Sequence, residues 1–221
     1  MIGIIGGSGL YEIEELDEKK LVPLHSIYGE PSSSSAVVGS IENIEFAFLP
    51  RHGLNHELNP SEINYRANIE ALKRIGVDKI ISISAVGSLK EEHEPGKFIV
   101  LDQYIDRTFK RKNTFFEGGC VAHVPFGDPV CDSLSNSIIS ALENNNINHF
   151  NKGTYICIEG PQFSTRVESE LYRSWDCDVI GMTNMPEAKL AREAGICYAS
   201  LAMVTDYDCW HPDHENVDVQ T

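Results

Sequence analysis

Positive charge is scarce in this chain: 18 Lys and Arg stand against 33 Asp and Glu, a formal net charge of −15 over 221 residues. A surface of that sign repels phosphate backbones and anionic membranes, which excludes nucleic acid and membrane surfaces as partners. Any anionic ligand has to be held by a local group of basic side chains and backbone amides. Long apolar runs are missing as well, and none approaches the ~20 residues that a spanning helix needs. The opening "MIGIIGGSGL" has no basic segment and is broken by glycines, so it reads neither as a signal peptide nor as an anchor, and a cytoplasmic location is expected.

Several chemical signatures are absent too. No CxxC occurs among the six cysteines, at 120, 131, 157, 177, 197 and 209, and they are expected to be reduced and mostly buried. "HPDH" at 211–214 and Cys120 with His123 are the short His and Cys groupings, and neither completes a metal tetrad, so no metal site is expected. A GxSxG elbow is lacking, which removes the marker of triad hydrolases. The glycines at 6, 7 and 9 form neither a Walker loop nor a clean GxGxxG.

What is present points to one α/β domain spanning residues 1–221. Apolar residues make up 42% of the chain, enough for one core at this length. Runs rich in Ile and Val at 2–5, 36–38, 46–49, 79–83, 98–101, 154–158, 179–180 and 198–204 predict strands. Helical patterns follow at 61–74, 132–145 and 186–194. Strands alternating with helices, and strands of near-continuous apolar character, predict a mixed or parallel sheet covered by helices on both faces. "PSSSSA" at 31–36 reads as a surface turn, and "YEIEELDEKK" at 11–20 as a solvated helix or loop face.

Loops at predicted strand ends carry the candidate chemistry. "IGIIGGSGL" is a strand entering a glycine turn, read either as a plain turn or as an anion site with Ser8 as donor. "LPRHGLNH" places Arg51, His52 and His56 after a strand, where a guanidinium suits bidentate capture of phosphate; an exposed polar loop is the plainer alternative. "ISISAVGSL" repeats the arrangement with Ser84 and the Ala85 amide, and ligands of open α/β sheets gather at such carboxyl ends. "IEGPQFSTR" offers Phe163 for stacking on a flat ring or for a peripheral packing contact, and "GMTNMPEAKLA" sets Met182 and Thr183 between a strand and a helix. In an extended backbone Asp206 and Asp208 of "TDYDCW" would share one side. Two close carboxylates in a dry site resist double ionisation, leaving one to carry a proton; the alternative is an Asp-rich turn that closes the strand.

Taken together, "GIIGGSGL", "RHGLNH", "NPSEINYRANIEALK", "SAVGSL", "DQYIDRT", "EGPQFSTR", "GMTNMPEAKLAREAGICYAS" and "TDYDCW" closely resemble the purine nucleoside phosphorylase family, on its methylthioadenosine-cleaving side. The resemblance runs from Ile2 to the last residue. It implies a nucleoside phosphorylase-type sandwich, a central mixed β-sheet flanked by helices, and attack of inorganic phosphate on C1′ of methylthioadenosine. By the same resemblance Ser8, Arg51, the His52 amide, Ser84, the Ala85 amide and Thr183 hold phosphate, Met182 meets the ribose, and Phe163 lies against adenine. Asp206 is implied as proton donor to N7 and Asp208 as acceptor from the exocyclic amine. No cofactor is implied beyond phosphate as co-substrate.

Relatives that prefer 6-oxopurines resemble "GPSFET" in the loop that reads "GPQFST" here and carry Asn at the position of Asp206, so Ser164 and Asp206 favour a 6-aminopurine. Val219 stands where the methylthioadenosine enzymes have an apolar wall. The usual assembly implied is a homotrimer, with His123 reaching a neighbouring subunit's pocket. The chain departs from the family at Ser8 and Ser84, where threonine is common, at Gly181, where asparagine is common, and in ending at Thr221 before a C-terminal helical segment. The alternatives that stay open are phosphorolysis of inosine-like nucleosides and a non-catalytic nucleoside-binding protein.

Overall fold

The computed structural model describes residues 1–7 and 16–212. In chain order the elements are β1 (Ile2–Gly6), β2 (Asp17–Pro23), β3 (Ser35–Ile41), β4 (Ile44–Pro50), α1 (Tyr65–Arg74), β5 (Lys79–Ser88), β6 (Phe98–Val100) and β7 (Gln103–Asp106). They continue with α2 (Asp132–Asn144), β8 (His149–Phe150), β9 (Thr154–Cys157), α3 (Arg166–Ser174), β10 (Val179–Gly181), α4 (Asn184–Glu193) and β11 (Cys197–Asp206). Every expected strand and helix is found, and the expected α/β class with a mixed sheet holds.

The strands form one mixed sheet in the order β2-β3-β4-β1-β5-β10-β9-β7, with β11 added along β5 and β6 on β11. Helices cover both faces, as the alternation of β11 shows: Tyr198, Ala202 and Val204 join the core shared with α1 and α4, while Cys197, Ala199 and Leu201 pack with Leu134, Ile138 and Leu142 of α2. Burial on two faces is what the near-continuous apolar strands foretold.

β5 organises the molecule. Its first half pairs in parallel with β1, ending at Ile5↔Ser82, and its last residues pair antiparallel with β10, beginning at Gly87↔Ile180. Parallel β11 runs along the other edge from Lys79 to Gly87. Among the described residues, one edge of the central strand therefore lacks a strand neighbour between Ser82 and Gly87. The sheet splits there, at the carboxyl ends of β1, β4 and β5.

Four features differ from the sequence expectation. Residues 17–20, read as a solvated helix or loop face, belong to β2, an exposed charged strand held only by β3; such charges are typical of edge strands and mask the alternation. β8 has two residues, too few to print a pattern, and β7 reads Gln-Tyr-Ile-Asp, with polar residues at both ends of a short apolar pair. Helix α3 carries a capping box in which Thr165 Oγ1 accepts from the Glu168 amide at 3.3 Å and Glu168 accepts from the Thr165 amide at 2.8 Å. That Thr-x-x-Glu signal was legible in "STRVES". Helix α1 starts at Tyr65 rather than 61, because the Asn64 side chain accepts from the Ala67 amide and so caps it.

The expectation of six reduced cysteines fails at one pair. Cys131 and Cys197 are joined by a disulfide across 66 residues, with Cα atoms 5.3 Å apart. The Cys131 amide donates to the Tyr198 carbonyl at 2.8 Å, which docks the start of α2 on the start of β11. Docking of two distant elements, not spacing, brings the sulfurs together. Cys157 and Cys177 are buried thiols as expected, Cys209 is half-buried and Cys120 exposed. Thiol titration of the denatured protein should accordingly find four free thiols without reductant and six with it; six in both would remove the bond.

Candidate active site

Arg51 fills the split in the sheet. It follows β4, and its amide donates to the Gly6 carbonyl at 3.0 Å. The guanidinium, 2% exposed, donates from Nη2 to Ile5 O at 3.2 Å and to Ser82 Oγ at 2.7 Å, and from Nη1 to Ile83 O at 3.1 Å. Nε and Nη2 reach the two oxygens of Glu187 at 2.9 and 3.3 Å. Glu187, on α4, also accepts from the Tyr198 hydroxyl at 2.9 Å. Burial works against the cation, but the charge and hydrogen bonds of Glu187 outweigh it and hold the guanidinium's pKa above its usual value. The bidentate partner is thus Glu187, a correction to the expected bidentate grip on phosphate. Among the described residues one Nη1 hydrogen is left for a ligand.

Beside this cation the split is lined by small, mostly buried groups. Ala85 is exposed although it lies within a central strand. Ser84 Oγ donates to Asn184 Oδ1 at 3.1 Å and lies 3.4 Å from Thr183 Oγ1, at the first turn of α4. The Thr183 amide donates to the Tyr155 hydroxyl at 3.2 Å. That hydroxyl occupies the space beside Gly181, where any Cβ would collide with it. His52 is half-buried, its Nδ1 2.9 Å from the Leu58 carbonyl and its ring stacked on His56 at 4.3 Å. Burial lowers its pKa to about 4, the Leu58 hydrogen bond opposes this, and the charge of Arg51 adds to the lowering. A neutral ring with the proton on Nδ1 follows.

The two acids lie a few residues further along β5. A Cβ on Gly87 would stand 2.8 Å from Asp206 Oδ1 and 3.2 Å from Asp208 Cβ, so the Asp206 carboxylate and the root of the Asp208 side chain sit over that glycine. They do not alternate in an extended chain. Asp206 ends β11, its Oδ1 accepts from the Asp208 amide at 2.7 Å, and Asp208 takes a φ of +52°. This is the Asp-closed turn held open as the alternative, and it coexists with the pairing. Asp206 also accepts from Thr205 Oγ1 at 2.8 Å. Asp208 is 5% exposed, and its pKa is raised by burial and further by the charge of Asp206. The resemblance implied Asp206 as the proton donor; what the environment does is make Asp208 hold a proton more readily than a free carboxylate, through burial and the charge of Asp206.

The loop 158–165 closes on this end. Ser164 is half-buried, and its carbonyl accepts from Cys209 Sγ at 3.3 Å, which ties the loop to the residue after Asp208. Phe163 is 47% exposed at the loop's edge. Met182 is half-buried against Gly160, whose added Cβ would meet Met182 Sδ at 2.5 Å. His123 is not part of this cluster: it is exposed and lines a separate cavity of about 360 Å³ with Thr114, Phe116, Lys189 and Glu193. Ser8 and Val219 lie outside the described residues. Sequence reasoning passed over Glu187, Tyr155, Asn184 and Arg111, which lie in an apparent helix face, a strand and a basic run. Among the described residues no group of His, Cys, Asp and Glu could hold a metal ion, and no helix is long and apolar enough to cross a membrane.

Comparison with known proteins places this geometry. The family model described as "Phosphorylase superfamily" matches residues 1–221. The chain is 54% identical over 219 residues to S-methyl-5′-thioadenosine phosphorylase of Cereibacter sphaeroides, covering 99% of this chain and 75% of that protein. Against the same enzyme of Koribacter versatilis it is 56% identical over 218 residues, covering 99% and 74%. Its fold superposes on methylthioadenosine phosphorylase of Schistosoma mansoni in complex with adenine with a TM-score of 0.94 at 38% identity, covering 99% of this chain and 83% of that one. A methylthioadenosine phosphorylase from an antarctic soil metagenomic library gives 0.94 at 53% identity, covering 99% and 77%.

Two outcomes follow from the site. With its pKa raised, Asp208 lends stability that is complete below the unfolded carboxylate value and is lost as pH rises through the folded one. Asp208→Asn, which stays neutral and tolerates positive φ, should therefore gain in urea midpoint over the parent between acidic and neutral pH, and an unchanged difference would contradict the burial of that charge. Gly181→Asn forces a side chain against the Tyr155 hydroxyl and should cost about 1–3 kcal/mol in the same unfolding measurement, with Tyr155→Phe relieving little of it because the ring itself is close.

Proposed function

The chain belongs to the phosphorylase superfamily, and from that premise we propose that it cleaves S-methyl-5′-thioadenosine with inorganic phosphate, releasing adenine and 5-methylthioribose 1-phosphate. The observation that carries this reading is the placing of Asp206 and Asp208 over Gly87, near Ser84 and Ala85 of the same central strand and Thr183 at the start of α4. A phosphate oxygen forms the bond to C1′ while the C1′–N9 bond breaks and its electron pair passes to the purine. The sugar becomes cationic on the way, so an anion held beneath it stabilises the transition state, and a proton delivered to N7 lets adenine leave neutral.

Phosphate is assigned to Ser84, Thr183, the amides of Ala85 and His52, the remaining Nη1 hydrogen of Arg51, and Ser8. The acid proton is assigned to the Asp206–Asp208 pair as a unit, with Asp208 its resting site and Asp206 the acceptor that keeps it there. Phe163 and Met182 are assigned to adenine and ribose, Ser164 and Asp206 to selection of a 6-aminopurine, and Val219 to the thiomethyl group. Apolar discrimination of that kind is worth about 1–3 kcal/mol. The scheme uses no metal or organic cofactor.

The assembly is proposed to be a homotrimer in which His123 serves a neighbouring pocket, a reading supported by its exposure away from this chain's own acids. The proposed location is the cytoplasm, where thiol pools reduce most disulfides.

An ultraviolet assay of methylthioadenosine cleavage should show adenine release only when phosphate is present. Faster release of hypoxanthine from inosine would replace the substrate assignment, and tight adenine binding without turnover would point to a binding protein instead. Replacing either acid, as Asp206→Asn or Asp208→Asn, should lower kcat by about a hundred-fold or more with a small change in the KM for phosphate. Equal losses in both constants would remove the pair from proton transfer.

A further inference from the structure

Arg111 is a second buried arginine that the scheme above does not use. It lies in the loop after β7, and its side chain is 1% exposed. Besides Tyr65 of α1 and the Cys157 thiol at 3.9 Å, its hydrogen bonds go to two segments that carry proposed substrate-facing residues. Nη1 donates to the Met182 carbonyl at 2.6 Å, to the Met185 carbonyl at 2.5 Å and to the Tyr65 hydroxyl at 3.1 Å. Nη2 donates to the Glu159 carbonyl at 2.8 Å and to the Ile158 carbonyl at 3.4 Å. The Met182 and Met185 carbonyls bracket Thr183 and Asn184, the turn that meets Ser84. Those of Ile158 and Glu159 open the loop that carries Phe163 and Ser164.

We infer that Arg111 is a positioning residue that locks the phosphate-side turn 182–185 and the base-side loop 158–165 into one rigid frame. Carbonyls in turns and loops need partners beyond those of regular secondary structure, and a buried carbonyl left unpaired is costly. One planar guanidinium satisfies four of them from fixed directions, which sets the distance between the two loops as well as their orientation. The carboxylate of Glu159 completes the frame. Its Oε2 accepts from the Phe109 amide at 2.6 Å, its Oε1 accepts from Ser61 Oγ, and Arg111 Nε stands 3.8 Å away without a hydrogen-bond partner among the described residues. Glu159 thus fixes the backbone just before Arg111, so the cation cannot shift without the loop.

This inference deepens the proposed reaction and rests on it, since phosphorolysis needs an anion and a purine held at a fixed separation. The test is Arg111→Lys, which keeps a buried cation but offers its donors from one point and cannot span both pairs of carbonyls. The expected result is a parallel rise in the KM for phosphate and for methylthioadenosine, with kcat/KM down about ten- to a hundred-fold, the scale of a small misplacement of reacting groups. Leu142→Ala in α2, a core truncation on the other face of the sheet, serves as control. It should lower the melting temperature while both Michaelis constants stay put. Unchanged constants in Arg111→Lys, or a change in one alone, would overturn the inference.

Should Arg111→Lys fail to fold, Tyr65→Phe removes a single anchor of the guanidinium and should show the same parallel rise at smaller size. Its absence would count equally against the role. If the unsubstituted chain turns over nothing, the functional reading falls by itself, and the positioning role is then read from calorimetric binding of adenine and of inorganic phosphate. Both must weaken in Arg111→Lys for it to stand.

Discussion

A positive charge buried in a gap between strands is the constraint around which this molecule is built. Arg51 sits where β1 has left the central strand and β10 has not yet joined it, and its guanidinium takes over hydrogen bonds that a strand would have made, to Ile5 and Ile83. A lone cation could not remain there, because an ion removed from water without a partner costs several kcal/mol. Glu187 supplies the counter-charge from α4, and Tyr198 holds Glu187 from β11. The split in the sheet, the position of α4 and the turn at Thr183 are therefore mutually fixed. The polar pocket is a consequence of how the sheet is closed.

Arg111 does for the loops what Arg51 does for the strands. Both arginines satisfy stranded carbonyls, and both lie in a chain with few cations to spare. The difference is in what they leave free. Arg51 retains a hydrogen beside Ser84 and Thr183, whereas Arg111 spends its Nη donors on the protein. Each buried guanidinium stands against a carboxylate, Arg51 against Glu187 at 2.9 Å and Arg111 against Glu159 at 3.8 Å, so both cations are balanced inside an acidic chain.

The acid pair shows how one piece of backbone can serve two ends. Asp206 closes β11 by capping the turn to Asp208, and the same turn swings Asp208 out of the water and over Gly87. A strict strand would have put the two side chains on one face at equal depth. The positive φ at Asp208 accompanies its deeper burial, and burial is what raises the hold of Asp208 on a proton.

The sequence by itself determined the class of fold, eight of the strands, three helices and the strand-end loops proposed to carry the chemistry, since hydrophobic periodicity and turn residues are local properties of a chain. It also made the base loop and the acid pair readable, because their residues are close in sequence. Tertiary structure alone decided who meets whom across long separations: Arg51 with Glu187, 136 residues on, Arg111 with four carbonyls of two loops, Cys131 with Cys197, and Tyr155 with Gly181. Those pairings depend on which edge of the central strand is left open and on which face each helix covers. No local pattern carries that information, because it is set by strand order and docking, and a buried charge reveals its partner only once the chain has closed around it.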